Sequence, residues 1–132
     1  MAVTNTPIFI QTPKASCVSI AAADTSRTTP TNFGTLYTAG ANGSKIDRVQ
    51  VTAAGNTTAG VIRVFVFDGT NYFLHSEHLV TAITPSTTVA AFMLNIDYSQ
   101  PSNEMFLPSG YSLRVSTNNA ETFKVCAFGG DY

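Results

Sequence analysis

Charge is the scarcest property of this 132-residue chain: Asp, Glu, Lys and Arg together make up 11% of it, against roughly 25% in an average globular protein. Seven basic and eight acidic residues leave a net charge of −1, too little to steer nucleic acid or an anionic membrane from a distance. The basic residues are spread singly from Lys14 to Lys124, so no basic patch forms in the sequence. Tryptophan is absent, which counts against the usual aromatic platform for sugar rings. No apolar run approaches the roughly 18 residues of a membrane span. The opening MAVTNTPIFIQTPK has no basic n-region, and its apolar run is only Ile8-Phe9-Ile10. No signal peptide is expected from it, and the product is expected to be made in a cytoplasm. Helical spacing of apolar residues is also missing.

The polarity comes instead from neutral groups: 19 Thr, 11 Ser and 9 Asn. Threonine suits a half-exposed pleated strand, and Asn and Ser suit turns. Runs rich in Val, Ile, Phe and Tyr recur between Gly, Pro, Asn or Thr clusters. They predict strands near 15–22, over Phe33 to Tyr37, and at 44–54, 61–68, 72–80, 89–97, 111–117 and 122–129, with a short edge segment at Met105 to Leu107. VIRVFVFD at 61–68 is apolar on both faces except for Arg63, as in a central strand, and Asp68-Gly69 signals a hairpin. The expected architecture is all-β: an antiparallel β-sandwich of about eight strands, jelly-roll-like. Residues 1–14 are read as an extended arm flanked by Pro7 and Pro13, and residues 15–132 as a single sandwich domain.

Candidate chemistry is thin. Both histidines fall in HSEH, residues 75–78. On a regular strand His75 would share a face with Glu77, and His78 with Ser76, so the two rings would point apart. Two ligands are too few for a closed zinc site, and no metal site, cofactor or catalytic residue is assigned. Serines abound without a GxSxG elbow, and the aspartates form no calcium loop. Phe65, Phe67, Tyr72 and Phe73 cluster around the central hairpin and read as core rather than a base-stacking platform. Cys17 and Cys126 lie on the first and last predicted strands, which neighbour each other in a jelly roll. A cytosolic origin favours free, buried thiols there over a disulfide.

The stretch FGTLYTAGANGSKIDRVQVTAAGNTTAGVIRVFVFDG (33–69), together with LPSGYSLRVST (107–117) and the closing AFGGDY, resembles small structural proteins of tailed bacteriophages. Within that group it looks most similar to capsid decoration, or cement, proteins. The resemblance implies a non-enzymatic virion protein, commonly a trimer, that binds the major capsid protein on the outside of an icosahedral shell. On the charge and hydropathy grounds above, neither a nucleic-acid nor a membrane partner is expected. The arm residues Pro7, Ile8, Phe9, Ile10 and Pro13 would make capsid or subunit contacts by adding a strand to a neighbouring edge; pairing within their own sandwich is the alternative. A tail or fibre role stays open, as does a carbohydrate-binding module using Tyr37, Tyr72, Tyr98 and Tyr111.

Overall fold

The chain reverses at Asp68. Its carboxylate accepts the N–H groups of Thr70 and Asn71 at 2.9 and 2.7 Å, and Gly69 takes a φ of +100°, a conformation only glycine adopts without strain. The computed structural model describes residues 9–132, and nine strands lie among them. They are β1 (Thr12–Ile20), β2 (Gly34–Thr38), β3 (Ser44–Ala53), β4 (Gly60–Phe67), β5 (Tyr72–Val80), β6 (Met93–Asp97), β7 (Met105–Leu107), β8 (Ser112–Thr117) and β9 (Phe123–Asp131).

The strands nest outward from this reversal. β4 pairs β5, β3 pairs β6, β2 pairs β8 and β1 pairs β9, all antiparallel. The long hairpin rolls into two sheets, β1-β9-β3-β6, with β7 also on β3, and β2-β8-β4-β5. This is the jelly-roll form of the β-sandwich, as the alternating strands led one to expect. Ile46, Val49 and Val51 of β3 face Ile62 and Val64 of β4 and Leu113 and Val115 of β8, and all are fully buried. Burial of each such side chain stabilises the fold by roughly 1.5–3 kcal/mol.

Most strand ends lie within two residues of the sequence reading, and three differ in ways that matter. β1 begins at Thr12 and so takes in Pro13 and Lys14, which were assigned to the arm. Pro13 lies opposite Gly130, and its missing N–H is tolerated because β1 is an edge strand. β9 runs through Gly129-Gly130 to Asp131 instead of stopping there. The apolar run at 89–97 forms a strand only from Met93 onward, because Ser86 ties residues 86–89 into a turn.

Residues 24–33 add a third layer over the outer face of the β2-β8-β4-β5 sheet. Asp24 anchors it. Its carboxylate accepts the backbone N–H groups of Ser26, Thr31 and Asn32 at 2.8, 2.7 and 2.8 Å. Arg63, buried beneath, donates to the Asp24 carbonyl at 3.1 Å and to Asn118 Oδ1 at 3.2 Å. This layer is why β4 is buried on both faces.

Burial alone would push the Asp24 pKa up, but the three N–H bonds outweigh it and hold the group below the ordinary carboxylate value. Asp24 therefore contributes stability that is fully present above the unfolded-state pKa and is lost as pH falls through the lower folded-state value. Asp24→Ala is expected to cost about 1–2 kcal/mol, by removing the acceptor of three part-buried N–H groups that water can only partly replace. Chemical denaturation at pH 7 and pH 3 checks this: the difference between variant and parent should shrink at the lower pH, and an equal difference at both would refute it.

Candidate functional site

Among the described residues, one lateral flank of the sandwich carries two strand edges without a further neighbour in their own sheet: β5 on one sheet, and β6 on the other. The flank is closed between them by Tyr98, just past β6, whose ring meets that of His75 on β5 edge-on at a centroid distance of 5.6 Å. Large apolar side chains stand out into solvent along these edges. Leu79 is 79% exposed, Met93 56%, Phe73 55% and Phe106 of β7 51%. An unpaired edge carrying exposed apolar residues is a surface that natural proteins normally cover or blunt.

The histidines belong to this flank, and here the structure corrects the alternation argument. The β4–β5 register runs Val64↔Ser76 and then Phe65↔Leu74, so His75 is an extra, unpaired residue. Such a bulge re-aims the side chains around it. His75 therefore does not join Glu77. Its Nδ1 comes to 3.3 Å from Ser76 Oγ, while His78 Nε2 reaches the same oxygen at 2.9 Å. Both rings thus meet at one hydroxyl. Glu77 turns to the other face, where it pairs with Arg27 and lies 3.9 Å from Arg63 Nε. Hydrogen bonding to Arg27 lowers the Glu77 pKa.

Desolvation lowers the pKa of both imidazoles, and for His78 the neighbouring His75 adds to the effect. Both rings are therefore largely neutral near pH 7. Burial pushes the Tyr98 phenol up to about 12, with a hydrogen-bonding contact from Ser76 acting in the opposite sense. The Tyr98 oxygen is fully buried, and among the described residues its contact with Ser76 falls short of good hydrogen-bonding geometry. A buried hydroxyl left without any bond costs about 1–3 kcal/mol.

Other polar clusters have structural roles. Arg114 stacks on Phe67, Phe33 and Tyr72, with its guanidinium carbon 3.8, 4.4 and 5.3 Å from the ring centroids, and donates to Tyr72 Oη. Phe65, fully buried on this same outer face, makes it a small second core under the 24–33 layer. At one end of the sandwich, Asp131 accepts from Tyr37 Oη at 2.8 Å and Ser44 Oγ at 2.6 Å, with Lys14 Nζ 3.8 Å away. These bonds tie the last residues of β9 to β2 and β3.

Of the arm residues, Pro7 and Ile8 lie outside the described residues. Phe9 is 68% exposed. Ile10 packs on the backbone of Gly130, and Gln11 N–H donates to Asp131 at 2.9 Å, so the chain from Ile10 on docks on its own sheet. The four tyrosines form no row for a sugar: Tyr37 and Tyr98 are buried in the core, while Tyr72 is engaged with Arg114 and Tyr111 packs against the core edge.

The cysteines also depart from expectation. Cys17 and Cys126 are directly opposite in the β1–β9 register, with Cα atoms 4.0 Å apart, and are joined in a disulfide. They sit on the outer face of the sheet, with Cys17 exposed, rather than as free buried thiols. Compared with known proteins, the chain matches no family model and no curated sequence.

Proposed function

We propose that this chain is a non-enzymatic structural protein that decorates the outside of a phage capsid, assembling with copies of itself, as a trimer by preference, and with the major capsid protein. The observation that carries the reading is the β5–β6 flank, with its two open strand edges and exposed Leu79, Phe73 and Met93. Backbone groups on such edges supply affinity by strand addition, and the apolar side chains supply area free of desolvation cost. On the outer face of the β1-β9-β3-β6 sheet the row Cys17–Cys126–Gln50–Asn95 is uncharged, while the neighbouring rows carry Lys124, Lys45 and the Arg48–Asp97 pair. Closed rings are the ordinary way to bury an identical flank on each copy.

Sedimentation of the untagged protein from its native lysate, with mass spectrometry of the pelleted particles, tests this. Stoichiometric recovery with a major capsid protein is the expected result. A Leu79→Lys variant should leave the pellet while keeping its unfolding midpoint, because Leu79 is already in solvent. Parent protein found only as a free monomer in the supernatant would sink the proposal, and recovery with tail structures alone would move it from the head.

A further inference from the structure

The two imidazoles that converge through the bulge form a donor set that the self-assembly reading does not use. We propose that His75 and His78 together bind one divalent cation of the Zn2+ or Cu2+ class at the β5 edge, with Ser76 and Tyr98 as the oxygen groups lining it. Three observations carry this.

The first is convergence. Nδ1 of His75 and Nε2 of His78 address a single atom, Ser76 Oγ, at 3.3 and 2.9 Å. A regular strand would part the rings; the extra residue at 75 is what joins them. The second is the Tyr98 phenol, buried against His75 and close to Ser76, whose contact with it falls short of good hydrogen-bonding geometry. A water or hydroxide held by a cation between the rings would supply a well-aligned partner. The third is the donor chemistry. Imidazole nitrogen suits zinc, copper and nickel, whereas hard cations prefer oxygen alone. The rings are poised as neutral ligands, and the two cysteines are held in their disulfide, so no thiolate competes for the ion. His75 faces solvent at the edge, which leaves the remaining coordination positions to water, the open arrangement of a site with few protein ligands.

Titration of the full, disulfide-bonded chain with ZnCl2 tests the proposal, read by calorimetry and by the imidazole resonances in NMR. One Zn2+ per chain is expected, with both imidazoles shifting together at the same molar ratio. His75→Ala and His78→Ala should each weaken binding by ~10-fold or more. Because His75 packs on the Tyr98 ring and His78 is half-buried, each variant is expected to lower the unfolding midpoint, and its binding is measured well below that midpoint. The proposal is overturned if only one imidazole responds, or if the H75A/H78A double variant takes up Zn2+ as tightly as the parent. The NMR experiment on the parent decides the matter even where a variant misfolds.

Discussion

The C17A/C126A double variant is expected to unfold about 4 kcal/mol more easily than the disulfide-bonded protein, which lowers the thermal midpoint by about 10–15 °C. The bond joins residues 109 apart in sequence, and a cross-link that closes a loop this long removes much of the unfolded chain's freedom. Cys17 is exposed on the outer face of its sheet, so trimming it to alanine opens no core cavity, and the effect isolates the cross-link. Urea denaturation of the parent with and without reductant, beside the double variant, gives the measurement. Reduced parent and variant should coincide. Two titratable thiols in the untreated native protein, or a midpoint indifferent to reductant, would contradict the bond. A cross-link of this kind also bears on the proposed setting, since disulfides persist mainly in oxidising surroundings such as virion surfaces.

Gly129→Ala is expected to cost about 3 kcal/mol, the upper end of what overpacking does. Between Ile46 and Arg48 the β3–β9 register shifts, and Asp47 is left out of the pairing. The kink presses β3 onto β9: a Cβ on Gly129 would stand 2.0 Å from the Lys45 carbonyl oxygen and 2.9 Å from Ile46 Cα. Those are backbone atoms in the middle of a sheet, and they cannot swing aside as a side chain would. Gly55→Ala is the control, because nothing lies within 4 Å of a Cβ built there, and it should change stability by no more than a few tenths of a kcal/mol. Equal midpoints for the two variants would show that β3 relaxes around the added methyl.

The strands were legible because their signal is local. Leu113 and Val115 alternate with Ser112 and Arg114 in the sequence, and the first pair does fill the core. The nesting of the first strand against the last followed from the commonest way to close eight strands. What escaped were features that depend on register. Whether Cys17 meets Cys126 depends on a one-residue alignment of strands more than a hundred residues apart, which no pattern within either strand specifies. The bulge at His75 has no glycine or proline to announce it, and it reverses the face assignment on which the separation of the two histidines rested. Ser112 and Ser116 alternate with the core pair Leu113 and Val115, yet both are buried too, on the opposite face of the sheet. Asp24 does carry a local signal, since an aspartate opening the polar run TSRTTPTN is a recognisable turn anchor. Tyr37 and Tyr98 were open to a surface role because a tyrosine's phenol leaves either fate available; only the tertiary fold decides.

The nested hairpin also sets an order of events. Closing a loop grows costlier with its length, and the pairings run from Phe67 with Tyr72 at the centre to Thr12 with Asp131 at the rim. Brought together alone, the rim pair would face about 3 kcal/mol more closure entropy than the central one, from a roughly twentyfold longer loop. Once the inner pairs have formed, most of that loop is already spanned, and the outer strands have only short gaps left to close. Folding is thus expected to zip outward from Asp68-Gly69, slowly for the chain's size, as for other folds rich in distant contacts. The two sulfurs lie on the pair that closes last, so they act as a latch on a finished structure rather than a guide to it.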